Sequence, residues 1–196
     1  MNYRAIASLF LLLPLLFGSS SAQEAAPEYS HPPVSPPSTG EITDGTPSQV
    51  DGATPYTDVT IHGTMWQPET RSAFAVWSPK GWATQARLKV ARYEWVHISV
   101  PIMSVMESRS QYVDTTEFCA RSTNGAVSHP QHVDVYTGDT VFFSYNITWP
   151  ADNAYHCFHM NIGHNWKADL GISVQLHFGN TTSSIFLYKA WTRSSD

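Results

Sequence analysis

The chain has 196 residues, 42% of them hydrophobic, and its 11 Lys and Arg against 16 Asp and Glu give a formal net charge of −5. This length suffices for one domain with an extension. The sequence contains no basic stripe, so binding to nucleic acid has no electrostatic support and is not expected.

Residues 1–22 have the pattern of a secretory signal peptide. Arg4 provides a positive charge near the start, an apolar run follows over residues 9–17, and the small residues SSSA precede a predicted cleavage after Ala22. The run is too short to span a bilayer, and no other stretch reaches that length. We therefore expect a secreted protein, extracellular or at the cell surface, whose mature chain has no transmembrane segment.

Residues 23–55 form an acidic, Pro-rich arm. The segment holds seven prolines and five acids, and it has no Lys or Arg. This composition cannot bury a core, so we predict an extended, semi-rigid linker with polyproline II character. Both a spacer role and a tail without a role of its own are compatible with this composition.

From Tyr56 onward, alternation of apolar and polar residues replaces helical periodicity. One predicted strand turns Val96, Ile98 and Val100 to one face. The other face of that strand carries three ring-bearing side chains: Tyr93, Trp95 and His97. We predict a single all-β domain over residues 56–196, an antiparallel β-sandwich of Ig-like or jelly-roll type.

Two hairpins are predicted in the second half of the domain. The first turns at residues 137–139. The second turns at residues 179–184 and joins a strand whose inner residues are Ile172, Val174, Leu176 and Phe178 to a strand over residues 184–191. The returning strand is apolar on both faces, Ile185, Leu187 and Trp191 against Phe186, Tyr188 and Ala190. Such a strand is either central or covered by a partner, so the interface candidates are Tyr93, Trp95, Phe186, Tyr188 and Trp191.

Two covalent features are expected in an oxidising compartment. Cys119 and Cys157 are the two cysteines of the chain, and the default is one disulfide between them. Two sequons provide candidate glycosylation sites, Asn146 in a strand and Asn180 in a turn.

The segment 154–166, AYHCFHMNIGHNW, is a candidate metal site because it concentrates His, Cys and Met. In a strand, however, His156 and His159 point to opposite faces, which separates two ligands of a zinc set that could include His164. His129 and His132 come closest to a second histidine pair. A blue-copper site would use Cys157, His159 and Met160 together with an upstream His97 or His132. The first three residues are too close in sequence for a loop to wrap them around one ion. We predict no metal and no cofactor.

Catalytic motifs are also missing from the sequence. It contains no Gly-x-Ser-x-Gly elbow and no phosphate-binding loop. Acids that could act in pairs in a glycosidase are scattered over the predicted strands and loops, and the sequence does not pair them: Asp114, Glu117, Asp134, Asp152 and Asp169. We predict that the protein is not an enzyme.

A β-domain behind a signal peptide and a Pro-rich arm resembles, in its layout, subunits of extracellular filaments and pili that assemble by donor-strand exchange. In that family an N-terminal strand of one subunit completes the Ig-like domain of another by β-augmentation. The resemblance implies a donor segment, for which we expect residues 56–66, inserting these residues: Val59, Ile61, Gly63 and Met65. It also implies that the partners are copies of the same chain in a homo-oligomer or filament.

The predicted function is therefore that of a secreted, non-enzymatic structural protein that self-assembles into a filament or surface layer by strand donation. The alternative is a secreted carbohydrate-binding or adhesive β-sandwich module, because 7 Trp, 9 Tyr and 9 Phe are many for a small domain. A small secreted hydrolase or metal-binding protein is a further alternative.

Overall fold

The computed structural model describes residues 40–43, 56–102, 105–106, 109–110, 112–165 and 169–195. The predicted signal peptide and most of the predicted arm lie outside the described residues. The regular elements of the described part are β1 Gly40–Thr43, β2 Tyr56–Ile61, β3 Gln67–Pro68, β4 Phe74–Pro79, β5 Thr84–Leu88, β6 Arg92–Pro101, β7 Val105–Met106, β8 Arg109–Ser110, β9 Tyr112–Ser122, β10 Ser128–Thr137, β11 Thr140–Asn146, β12 Tyr155–Asn165, β13 Asp169–Phe178 and β14 Ile185–Ser195, with short 3-10 helices at Gly63–Met65 and Arg71–Ala73. None of these helices is long and apolar enough to cross a membrane.

The strands form an antiparallel β-sandwich, which confirms the predicted fold class. The larger sheet has the order β1-β12-β9-β14-β5-β4, with β2 also paired to β14. The smaller sheet has the order β11-β10-β13-β6-β3, and β7 and β8 form a separate two-stranded ribbon. One face of each sheet supplies the core, and alternation along each strand sends every second residue to the outer face.

Aromatic side chains occupy the centre of the core. Phe118 on β9 is fully buried. Its ring contacts Trp66 edge-on at 6.3 Å between centroids, stacks with Trp149 at 6.4 Å and lies 5.9 Å from the ring of Phe158. The predicted inner residues of β6 and β13 are buried as expected. Each such aliphatic or aromatic side chain contributes about 1.5–3 kcal/mol by leaving water.

The predicted hairpin at residues 179–184 is wrong. β13 belongs to the smaller sheet and β14 to the larger one, so this connection crosses between the layers instead of joining neighbouring strands. Asn180 forms the turn, with its Oδ1 accepting from the backbone N–H of Thr182 and of Ser183. The hairpin predicted at residues 137–139 is confirmed, with Gly138 at a φ of 59°, a value that favours glycine.

A bulge in β14 changes the face on which Trp191 lies. Leu187 pairs with Ala120 and Ala190 pairs with Phe118, so β14 has one residue more than β9 in this interval. The extra residue reverses the alternation. Ala190 therefore faces the core, and Trp191 shares the outer face with Phe186 and Tyr188, contrary to the sequence pattern.

The predicted donor segment pairs within its own domain. β2 runs antiparallel to residues 190–195, and Arg193 donates to both carboxylate oxygens of Asp58 at 2.9 and 3.0 Å. The guanidinium of Arg193 also lies 4.7 Å from the ring centre of Tyr56. Val59 and Ile61 pack against the core. These contacts hold β2 against β14 of its own chain, and its exchange between copies stays a prediction.

The rest of the predicted donor segment leaves the strand. Gly63 begins a 3-10 helix against β14, where an added Cβ would lie 2.6 Å from the carbonyl oxygen of Leu187. Met65 is 57% exposed. Part of the predicted arm is also a strand. β1 pairs with residues 157–160 and covers the edge that β12 would otherwise leave open in the larger sheet.

The predicted disulfide between Cys119 and Cys157 is confirmed. The two residues face each other directly across β9 and β12, and both are fully buried. Their sequence separation is 38. By restricting the unfolded chain, a link of this span stabilises the fold by roughly 4 kcal/mol in the chain-entropy account.

Replacing the central aromatic residue tests the packing of the core. We expect Phe118→Ala to lower the free energy of unfolding by about 3–5 kcal/mol, because it removes a ring that three other rings surround. Urea unfolding followed by tryptophan fluorescence measures the change. Val90→Ala, at a position 63% exposed, is the control and should stay within about 0.5 kcal/mol of the parent. Equal effects at both positions would contradict this description of the core.

Candidate functional site

The outer face of the smaller sheet carries a dense set of rings and polar groups. β6, β13 and β10 lie side by side, and their outward residues form rows across the strands. We call this surface the histidine–aromatic face and define it by Tyr93, Trp95 and His97 of β6, Ser173, Gln175 and His177 of β13, His129, His132 and Asp134 of β10, and Ser144 and Asn146 of β11.

Three rings make up the first row of the histidine–aromatic face. Tyr93 is 49% exposed and stacks on His177, with ring centroids 4.8 Å apart and planes 26° apart. His177 in turn meets the ring of His129 at 5.3 Å. Burial, together with the neighbouring His129, lowers the pKa of His177 below its ordinary value. The shift favours the neutral form of His177, which lies beside the half-exposed ring of Tyr93.

The second row contains a histidine bonded to a buried carboxylate. His132 lies with Nδ1 2.6 Å from Oδ1 of Asn146 and Nε2 2.9 Å from Oδ1 of the fully buried Asp134. Ser144 Oγ also lies 3.0 Å from Nε2, and the protonated form of the ring could donate from both nitrogens. Burial lowers the pKa of His132, but the bonds to Asp134 and Asn146 and the charge of Asp134 outweigh burial and raise it. Trp95 meets this imidazole edge-on at 5.8 Å.

Gln175 lies at the centre of the face, between Trp95 and His132 in the strand register. Its side chain is partly exposed and makes no hydrogen bond within the described part of the chain. An amide carries two donors and one acceptor with two lone pairs. The centre of the face therefore offers unused hydrogen-bonding capacity beside two aromatic rings.

A Ser-His-Glu row crosses the same face. His97 Nδ1 lies 2.7 Å from Ser173 Oγ, and its Nε2 lies 3.8 Å from Glu69. Burial lowers the pKa of His97 against the attraction of Glu69. A hydrolase of this type also needs free N–H donors for an oxyanion. β13 is hydrogen-bonded on both sides, so the backbone around Ser173 does not supply them, and the row does not favour the hydrolase alternative.

The outer face of the larger sheet carries a second aromatic cluster. Trp82 is 51% exposed and lies over Phe186 and Tyr188, with ring centroids 5.4 and 5.2 Å away. Tyr155 packs edge-on against Tyr188 at 4.7 Å. Burial and the charge of Glu117 raise the pKa of Tyr155 to about 12, so it stays a neutral phenol. Beside this cluster, the side-chain amide of Gln85 donates to Ser184.

The five predicted interface aromatics divide between the two outer faces. Tyr93 and Trp95 lie on the histidine–aromatic face, whereas Phe186, Tyr188 and Trp191 lie on the other sheet. Whether either group forms an interface stays a prediction. Sequence reasoning did not single out Trp82, Gln175, His177 or the pairing of His129 with His177. Alternation placed His177 outward, but its partner is distant in the chain.

The histidine-rich segment and the sequons are also separated by the strands. On β12, His156 bonds Asp152 at 2.7 Å and points away from the face of His159, as the strand pattern predicts. The side chain of His164 lies outside the described residues. Asn146 lies at the edge of the histidine–aromatic face, and Asn180 lies in the turn after β13. Glycosylation of either residue stays a prediction.

Comparison with known proteins assigns no family. No protein-family model matches the chain, and no curated protein matches it. A solved carbohydrate-binding module, CBM36 in complex with calcium and xylotriose, is 13% identical over 67% of this chain and 96% of its own, with a TM-score of 0.39. A family 29 module from Piromyces equi is 11% identical over 72% and 91%, at 0.40.

A family two carbohydrate esterase from Cellvibrio japonicus is 10% identical over 72% of this chain and 34% of its own, with a TM-score of 0.41. All of these similarities are too low to carry functional meaning.

Removing the charge of Asp134 tests the electrostatics of the face. We expect Asp134→Asn to lower the pKa of His132, measured by NMR titration of the imidazole protons. Because the folded pKa of His132 lies above the reference value of 6.5, its stabilising contribution is fully present below pH 6.5 and is lost as pH rises through the folded value. His177, which faces His129 and Tyr93, serves as the internal control. A parent His132 that titrates below His177 would contradict this description.

Proposed function

We propose that the protein is a secreted carbohydrate-binding or adhesive module that holds glycan on the histidine–aromatic face. The observation that carries the proposal is the half-exposed ring of Tyr93, with Trp95 two residues further along β6 and unused polar groups beside both. The proposal corresponds to the alternative that the abundance of aromatic residues suggests in the sequence.

The chemistry of a sugar matches this combination of groups. A pyranose ring has an apolar C–H face and a rim of hydroxyl groups, so it packs on an aromatic ring while its edge seeks hydrogen bonds. Outward residues two apart along β6 are spaced by roughly 7 Å, which is of the order of one pyranose residue. Tyr93 and Trp95 can therefore contact successive sugars of one chain.

The polar groups of the face are placed for the rim of such a sugar. Gln175 presents an unused amide between the two β6 rings and His132. His177 stacks under Tyr93, and its ring nitrogens make no hydrogen bond within the described residues. Donors and acceptors that water alone satisfies can be exchanged for sugar hydroxyls at small cost, because hydrogen bonds are replaced and not lost.

The Trp82 cluster is the weaker candidate for the same role. It presents a single exposed ring, and the nearby Gln85 and Arg121 already bond Ser184 and the backbone of Asn153. Trp82 serves instead as a matched control for variants of the histidine–aromatic face. Both clusters contain an exposed aromatic residue on an outer sheet face.

Binding to soluble polysaccharides tests the proposal. A glycan array and affinity electrophoresis with neutral β-linked polysaccharides identify a ligand, and calorimetry then compares variants on it. We expect Tyr93→Ala and Trp95→Ala each to weaken binding about tenfold, which corresponds to about 1.4 kcal/mol, a magnitude reasonable for one aromatic stacking contact. Gln175→Ala should weaken binding by less.

The control is Trp82→Ala, which should bind like the parent. Loss of binding in Trp82→Ala with none in Tyr93→Ala would assign the site to the larger sheet. A folded parent protein that retains no glycan in either assay would contradict the proposed function itself.

A further inference from the structure

Two cross-strand pairs on the outer face of the larger sheet bring four residues of metal-ligating types together. Cys119 pairs with Cys157, and in the neighbouring row Glu117 pairs with His159. Residues two apart on one strand share a face, so the four side chains start from the corners of a rectangle of roughly 5 by 7 Å. We call these four residues the β9–β12 square.

The ligand atoms of three members of the square already lie close together, and the imidazole of His159 lies beside Glu117. Glu117 Oε1 is 3.4 Å from Cys119 Sγ, and Glu117 Oε2 is 3.8 Å from Nδ1 of His159. The ligand atoms of Glu117, Cys119 and Cys157 all lie within 4.8 Å of one another. Atoms bound to one tetrahedral zinc ion are separated by about 3.3–3.8 Å. The two sulfur atoms, joined in the disulfide, are closer than this, and His159 reaches the group through its 3.8 Å approach to Glu117.

Glu117 is an unusual carboxylate for an outer sheet face. It is 4% exposed, yet the basic side-chain nitrogens paired with it among the described residues, Nζ of Lys189 and Nδ1 of His159, are 3.6 and 3.8 Å away. Both distances exceed that of a hydrogen bond, and a disulfide sulfur has no proton to donate. A buried carboxylate normally accepts close hydrogen bonds. The oxygens of Glu117 instead face the sulfur atoms and the imidazole.

We propose that reduction of the Cys119–Cys157 disulfide converts the β9–β12 square into a binding site for a thiolate-preferring divalent ion such as Zn²⁺. A dithiol or phosphine reductant supplies two electrons, the S–S bond breaks, and two protons give two thiols. Metal binding then releases those two protons as both sulfurs bind as thiolates. In the oxidised protein the sulfurs are bonded to each other and the site is closed.

The charges around the square favour this ligand set. Two thiolates and the carboxylate of Glu117 carry three negative charges against the two positive charges of the ion, which leaves −1. Lys189, 3.6 Å from Glu117, supplies the compensating charge. The ligand set of two Cys, one His and one carboxylate is of the type that zinc accepts. The site lies on the sheet opposite the histidine–aromatic face, so it is independent of the proposed function.

Cobalt absorption provides the test. The full-length protein is reduced with a phosphine under argon and titrated with Co²⁺ alone, while circular dichroism follows the β-sheet. We expect one Co²⁺ per chain, with a near-ultraviolet thiolate-to-cobalt band and strong visible bands of tetrahedral cobalt, and displacement by one equivalent of Zn²⁺. The oxidised protein should show none of these bands.

Variants distinguish the square from two thiols acting alone. We expect Glu117→Gln and His159→Asn each to weaken Co²⁺ binding at least tenfold, whereas His156→Asn, next to Cys157 but facing the other way, should bind like the parent. Unchanged affinity in both Glu117→Gln and His159→Asn would overturn the proposal. It would also be overturned by a folded reduced protein without cobalt bands, or by loss of the sheet on reduction that Co²⁺ does not restore.

Discussion

The continuous ladder between β13 and β6 is the constraint on which the smaller sheet depends. Ten consecutive residue pairs, from Asp169–Pro101 to Phe178–Arg92, run without a register shift, whereas the β10–β13 ladder shifts register once, between Pro130 and His132. A slip of one residue would reverse every side chain of a strand. Burial of the aliphatic residues of both strands therefore holds the outward residues in fixed rows. The histidine–aromatic face exists because the core prevents that slip.

Cross-strand pairing has a different result on each of the two outer faces. On the smaller sheet, rings and amides alternate and leave hydrogen-bonding capacity at the surface, around Gln175 and His177. On the larger sheet, the residues of the β9–β12 square contact one another. They comprise a disulfide, a buried carboxylate and a half-buried imidazole, and the last two lie within contact distance. Positions directly opposite each other across a strand pair are close enough to bond, stack or share an ion. The same rule thus produces an open row of rings and polar groups on one side and a closed cluster on the other.

Alternation within single strands could be predicted from the sequence, and contacts between distant strands could not. The inner and outer residues of β6 and β13 follow directly from the two-residue period, and the disulfide follows from having two cysteines. The turn at residues 179–184 looks like a hairpin because local residues do not reveal that β14 is paired by β9, β5 and β2. The face of Trp191 depends on one extra residue in β14 that pairing with β9 reveals. His129 and His177 become neighbours only through the β10–β13 ladder.

The most direct measurement of the central claim is an NMR titration of the uniformly labelled domain with the best-bound oligosaccharide, following amide and side-chain signals together. If glycan lies on the histidine–aromatic face, the largest shifts fall on the Gln175 side-chain amide, the Trp95 indole and the His177 and His129 imidazoles, while the Trp82 indole stays unchanged. Shifts centred on Trp82 and Tyr188, with the signals of β6 and β13 unmoved, would contradict the account.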